Sequence, residues 1–483
     1  MAGMSTENIR VRFAPSPTGF LHVGGLRTAL YNVLFARKHG GSAVLRIEDT
    51  DRSRYVEGAV ENLLSTLEWA GLRFDEGPEQ GGASGPYVQS ERSDLYRAHA
   101  EQLLAEGKAY RCFCSPDELA ASRERQLAEK KDPTYDRRCR MLSEAEISEK
   151  RDAGLPFTVR MKVPLAGQLQ FRDLVRGDIT VHYDVIDDQV LLKSDGYPTY
   201  HLANVVDDHH MQISHVIRGE EWLPSTAKHM LLYEFFGWAP PQFAHLPLLL
   251  NQDRSKLSKR QGDVAVEDYR EKGYLPEALI NFVALLGWNP GDDREMFTLA
   301  ELEKEFSLER VGKAGAVFDV EKLKWFNGQY LRALPAEDLV EICGPWMREA
   351  GFDTTDAART RSVVSSLTNY LTLPSDITEH LGLFTGGPVH ITGEEALDLV
   401  ADAPAQQVFT RFVELAAELE DWRGESIKAM IKAIQKDTGV KGKQLFMPLR
   451  LALTAEEHGP DLGMIAELLG RDETISRIRA QLR

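Results

Sequence analysis

Two short stretches carry the residues best suited to holding phosphate. The first runs Phe13-Ala-Pro-Ser-Pro-Thr-Gly-Phe-Leu-His-Val-Gly-Gly-Leu26 and puts His22 just ahead of a helical repeat. Free amides and the dipole at a helix start favour phosphate. Gly19, Gly24 and Gly25 let the backbone approach a ligand closely. The second runs Asn251-Gln-Asp-Arg-Ser-Lys-Leu-Ser-Lys-Arg-Gln-Gly262 and gathers Lys256, Lys259 and Arg260. Mobile cations of this kind clamp phosphate oxygens, and the same loop also reads as a solvated surface turn. Charged groups end two further apolar runs. Glu48, Asp49 and Asp51 follow Val44–Ile47, and Arg218-Gly-Glu-Glu221 follows Ser214–Ile217. The three carboxylates suit an ammonium group or a metal, or they cap the next helix.

These groups need a frame. Ile9, Val11 and Phe13 alternate with Arg10, Arg12 and Ala14, the period of a strand. The helix after His22 stops at Gly40-Gly41, and a second strand spans 42–49. A strand–loop–helix–strand start is the opening of a nucleotide-binding α/β domain, whose ligands sit at the C-terminal strand ends. Helices are predicted over 56–70 and 94–106. Phe157–Val163, Gln168–Leu174 and Ile179–Tyr183 read as one small antiparallel set, inserted before the first domain resumes at Val190. Beyond Leu275 the periodicity is helical. Thr298 and Glu301 form a capping box. Asp319 opens a helix that should end at Asn327-Gly328, and segments 408–419, 427–434 and 464–469 continue an all-α half.

Bulk properties narrow the class. A length of 483 residues suits about three domains. No apolar run reaches the length of a membrane span, and Met1–Asn8 lacks an apolar signal core. The cysteine count of 4 points to a reducing compartment, so a cytoplasmic location is expected. A net charge of −17 argues against general affinity for nucleic acid. One segment, Arg123 to Arg140, is nevertheless rich in Arg and Lys. It reads equally as a local phosphate-binding face or a solvated helix.

Read together and in order, the stretches resemble bacterial glutamyl-tRNA synthetases, of the first class of aminoacyl-tRNA synthetases. The resemblance runs through Arg12–Gly25, Leu45-Arg-Ile-Glu-Asp-Thr-Asp-Arg52, Gly196–Asp208, His215–Trp222, Lys256-Leu-Ser-Lys-Arg260, Gly273–Leu279 and Phe318–Trp325. Gly25 stands where the first signature usually ends in His. Leu257 and Arg260 vary the second signature and spare its lysines.

The resemblance implies a multi-domain α/β plus all-α fold. A Rossmann-type catalytic domain would occupy 1–95 and 190–255, with an inserted α+β acceptor-binding domain at 96–189. A helical stem-contact domain would follow at 256–334, and an all-α anticodon-binding region at 335–483. It also implies formation of glutamyl-adenylate from L-glutamate and ATP with Mg²⁺, then transfer to the terminal adenosine of tRNA(Glu). A non-discriminating form would also charge tRNA(Gln). The implied state is a monomer with no membrane partner. His22 and Lys259 are the expected catalytic residues. Gly24, Gly25, Glu220 and Lys256 join them around ATP. Arg12 and Arg218 suit glutamate carboxylates because a guanidinium fork bonds both oxygens, and Glu48 suits the ammonium. Ala14, Ser16, Tyr200 and Asn204 complete the pocket by resemblance. Some family members bind zinc through Cys-x-Cys and Cys-x-His. Here Cys112, Cys114 and Cys139 are present but Met141 stands in the His position, so no metal site is expected.

Overall fold

The computed structural model describes residues 9–257 and 264–483. It divides into two compact units. One runs to Glu271 and resumes over Pro276–Val320, and the other takes Lys272–Leu275 and Glu321–Arg483.

The first unit opens with β1 (Arg10–Phe13), α1 (Val23–Lys38) and β2 (Ser42–Leu45). Val11, Arg12 and Phe13 are all buried, because helices and loops cover both faces of a parallel sheet. Then come α2 (Ala59–Trp69), α3 (Ser93–Ala105), β3 (Ala109–Cys112), α4 (Pro116–Ala128) and α5 (Glu144–Asp152). Strands β4 (Thr158–Met161), β5 (Gln168–Asp173), β6 (Gly177–His182) and β7 (Val190–Leu192) follow. The unit continues with α6 (Tyr200–His210), β8 (His215–Gly219), α7 (Leu223–Phe236), β9 (Gln242–Leu246), β10 (Leu249–Leu250) and β11 (Ala316–Val317).

The main sheet has the order β2-β1-β8-β9-β5-β6. Its pairings are parallel except for the β5–β6 hairpin. This corrects the expected single antiparallel set. β4 instead pairs with β3 and β7 in a separate antiparallel sheet, so β7 belongs with the inserted strands. The physical reason lies at Asp173, where β5 meets β9 in register with Phe243 and the carboxylate binds His245. Alternation identifies a strand but carries no sign of its partner.

The regular elements described in the second unit are helices. Helices Ala403–Glu418, Gly424–Thr438 and Leu462–Leu469 cover the expected segments. Val408, Phe409, Phe412, Ile427, Ile431 and Ile434 recur at helical spacing and share one core. The helix expected to stop at Asn327-Gly328 runs on from Val320 to Ala333. Asn327 is buried there, accepting from the Leu275 amide at 2.8 Å and donating to the Thr372 carbonyl at 2.7 Å. A Cβ at Gly328 would lie 3.1 Å from the Leu371 carbonyl, so this glycine serves close approach and not a helix cap.

Candidate active site

The loop between β1 and α1 ends at His22, the N-cap of α1. His22 Nδ1 accepts from the Gly25 amide at 3.0 Å. In a neutral ring this leaves the proton on Nε2. A Cβ at Gly25 would lie 2.7 Å from Leu21 Cδ1, and one at Gly24 would lie 3.1 Å from the His22 ring. At Gly25, where this signature more usually ends in histidine, a side chain fits only if the Leu21 side chain shifts.

A cavity of about 590 Å³ lies against this loop, and its walls include Arg12, His22, Glu48, Tyr200, Arg218 and Lys256. Ala14, Ser16, Gly24 and Gly25 also line it. Arg12 is buried, and its Nε donates to Asp208 Oδ1 at 3.1 Å. Its terminal nitrogens take no partner among the described residues, so the fork remains for a ligand. Glu48 accepts from Arg46 at 2.9 Å and from Gln89 at 3.5 Å, both on Oε1. Oε2 takes no hydrogen bond among the described residues.

Arg218 is 4% exposed, yet among the described residues it has no carboxylate partner. Its Nε donates to His245 Nε2 at 3.1 Å, and Nη1 donates to the Tyr200 hydroxyl at 2.9 Å. Nη2 donates to Thr226 Oγ1 at 2.9 Å, and His229 Nδ1 stands 3.3 Å from Nη1. All these partners are neutral acceptors. A buried cation without a counter-charge is costly unless an anion arrives.

Other expected residues fall differently. Asn204 lies on α6, buried, with Nδ2 unpartnered, but it is not on the cavity wall. Glu220 is held by Arg176 at 2.7 Å and by the Leu248 amide at 2.8 Å. The wall is formed by Glu221 instead. Lys259 and Arg260 lie outside the described residues. In the basic segment, Arg137 and Arg140 both pair with Asp188 and Arg138 pairs with Asp136, so these cations already have partners.

Several supporting residues escaped the sequence reading. Asp208 accepts from Arg46 Nη1 at 2.8 Å as well as from Arg12. Burial pushes its carboxyl up, but Arg12 and Arg46 outweigh that and hold it below the usual range. The signal was available, since Tyr200, Asn204 and Asp208 stand four apart and share one face of α6. Asp207 accepts from Arg92 at 2.7 Å and from the Tyr96 hydroxyl at 2.8 Å. Burial pushes the Glu48 carboxyl up, against the pull of Arg46 and Arg12. Protonated Glu48 cannot pair with an ammonium. KM for an amino acid held there should therefore rise as pH falls, beginning above the ordinary carboxylate pKa of about 4.3. Initial rates across pH check this. KM for ATP should stay flat, and Glu48→Gln should show a high, pH-independent KM.

Comparison with known proteins identifies the family. The family model "tRNA synthetases class I (E and Q), catalytic domain" matches residues 8–325, and an "Anticodon binding domain" model matches 338–482. The glutamate–tRNA ligase of Alkaliphilus metalliredigens is 49% identical over 98% of both chains. The chain belongs to the glutamate–tRNA ligase family. The glutamate–tRNA ligase of Clostridioides difficile is 48% identical, again over 98% of both chains. A crystal structure of a glutamate tRNA ligase from Elizabethkingia meningosepticum, in complex with its amino acid, matches with TM-score 0.90 at 41% identity. It covers 98% of this chain and 99% of that one.

Three of the cysteines of this glutamate–tRNA ligase family member gather. Among the described residues, the Sγ atoms of Cys112, Cys114 and Cys139 lie within 4.8 Å of one another. The Tyr135 hydroxyl is 3.3 Å from Cys112 Sγ and 3.6 Å from Cys114 Sγ. The Cys139 thiol, with help from Tyr135 and against the cost of burial, pulls Cys112 toward thiolate. Met141 is 83% exposed and takes no part in the cluster. No helix among the described residues is long and apolar enough to cross a membrane.

Proposed function

We propose that this chain activates L-glutamate with ATP and loads it onto tRNA(Glu) for protein synthesis in the cytoplasm. Arg218 carries the reading: it is a buried guanidinium surrounded by neutral acceptors, on the wall of the cavity that also holds His22. A substrate carboxylate supplies the missing charge. Arg12 offers its open fork to glutamate's other carboxylate, and Glu48 Oε2 takes the ammonium. Glutamine would turn an NH₂ toward a guanidinium, donor against donor, and is rejected by that repulsion.

A glutamate α-carboxylate oxygen attacks the α-phosphorus of ATP, and the bond to the β-phosphate bridging oxygen breaks. Pyrophosphate leaves. A ribose hydroxyl of the terminal adenosine then attacks the adenylate carbonyl, loses its proton and releases AMP. Neither step requires an enzyme nucleophile, so the residues work by alignment and charge stabilisation. His22 Nε2–H and the amides at the start of α1 hold phosphate oxygens, and Lys256 with Lys259 draws off pyrophosphate. Mg²⁺ bound with ATP would supply shielding of the phosphate charges, while His22, Lys256 and Lys259 hold the phosphate oxygens.

Pyrophosphate exchange with glutamate and glutamine, each with and without tRNA(Glu), tests the reading. Exchange is expected with glutamate alone of the two amino acids, and in the presence of tRNA. Exchange with neither amino acid under any condition would remove the proposal.

Against the expectation of no metal site, the cysteine cluster offers three thiols and a phenol, enough donors for a tetrahedral zinc with Tyr135, and not a residue at position 141, as the fourth donor. Such an ion would be structural, tying the Cys112–Cys114 loop to the turn carrying Cys139. Elemental analysis of purified protein should then find one zinc per chain, absent in Cys114→Ser. A metal-free wild-type protein would return the cluster to ordinary core packing.

A further inference from the structure

Arg218 does not stand alone behind the cavity. Its Nε donates to His245 Nε2 at 3.1 Å, and His245 Nδ1 lies 2.6 Å from Asp173 Oδ2. Asp173 and His245 are both buried. We infer that Asp173 and His245 are positioning residues for glutamate: Asp173 fixes the imidazole in the tautomer whose bare Nε2 accepts from Arg218, setting the plane of the guanidinium fork. This inference rests on the assignment of Arg218 to a substrate carboxylate.

Arg218 Nε always carries hydrogen. Its partner nitrogen must therefore be bare, and the ring's proton must sit on Nδ1, facing a carboxylate that can only accept. Asp173 is itself locked in orientation. Its Oδ1 accepts from the amides of Val175 at 2.9 Å, Arg176 at 2.8 Å and His245 at 3.3 Å. Oδ2 is thereby left to the ring. His229 applies the same logic from α7, with Nδ1 facing Arg218 and Nε2 3.1 Å from His201 Nδ1. Burial pushes both His229 and His245 below the usual imidazole range, which keeps them neutral beside the cation.

Asp173→Asn separates this role from simple packing. The amide oxygen must stay on the three backbone N–H groups, so the NH₂ faces His245 Nδ1 and donates to it. The ring proton then moves to Nε2, where it opposes Arg218 Nε–H. Selective ¹⁵N-histidine NMR of the full chain reads the tautomer, with the His245 signal assigned from its loss in His245→Gln. In the wild type, Nε2 is expected bare and Nδ1 protonated; a protonated Nε2 there would overturn the inference. In Asp173→Asn the proton should move to Nε2. KM for glutamate should rise at least about 10-fold, the scale of one charge-assisted hydrogen bond, with KM for ATP within about twofold.

A second pair guards against misfolding. His245→Gln reaches the same position with Oε1 and keeps an acceptor, whereas His245→Leu removes it. Glutamate KM should rise at least about 10-fold for Leu and clearly less for Gln. Equal losses would refute the positioning role. Arg218→Gln distinguishes the two levels of the argument. If that variant leaves glutamate KM unchanged, the pocket assignment itself fails. If it raises KM while the Asp173 and His245 variants do not, only the tautomer inference fails.

Discussion

Arg218→Gln is expected to lower kcat/KM for glutamate by at least about 100-fold, about 2.7 kcal/mol of transition-state binding. The substrate carboxylate loses its charged partner and is left desolvated against neutral groups. The same substitution should leave the melting temperature unchanged or raise it. Without substrate, Arg218 is buried among neutral acceptors, with no carboxylate partner among the described residues. Removing an uncompensated buried charge seldom harms a fold. Function lost with stability kept is the signature of a residue retained for a ligand. Steady-state kinetics and thermal denaturation of one preparation read both halves. Near wild-type kinetics would take Arg218 out of the pocket.

His22 requires a pair of substitutions, because the residue does two jobs. Its Nδ1 caps α1 through the Gly25 amide, and its other nitrogen is assigned to phosphate. Asparagine is a good N-cap and alanine a poor one, the difference being about 1 kcal/mol of stability. His22→Asn should therefore keep the melting temperature near that of the wild type, while His22→Ala lowers it. Both should slow adenylate formation by about 100- to 1,000-fold, the loss typical of one preorganised donor to a developing charge. KM for glutamate should move little in either. Single-turnover measurement of adenylate formation separates this from binding. An Asn variant as fast as wild type would leave His22 with the cap alone.

Much of the frame could be read from residue types. Strict alternation in β1, the glycines around His22 and the capping box at Thr298 are local signals, and local signals survive in a sequence. What could not be read was partnership. Nothing in Gln168–Asp173 says that β5 pairs with β9, because its alternation is the same on either sheet. Nothing in Asn327-Gly328 distinguishes a helix end from a helix interior packed tightly on a carbonyl. In the site, residues that would touch substrate were visible as charges at strand ends. Of the groups that hold them, Asp208 left a signal in its spacing on α6, whereas Asp173, His229 and His245 read as ordinary core or cap residues. Glu220 shows the limit of adjacency, since one step along the chain exchanges a wall residue for an ion-paired one.

The path of the hairpin β5–β6 has a consequence for anyone building hybrid enzymes. The strands β3, β4 and β7 form a sheet of their own, but the chain leaves it after β4, lends two strands to the catalytic sheet, and returns. A cassette cut at the outer limits of the insertion would carry the hairpin away. It would bare the edge of β9 and invite aggregation. Chimeras that exchange only the outer sheet and leave residues 168–182 in place should be the ones that express in soluble form, because their splice points respect which strands share hydrogen bonds.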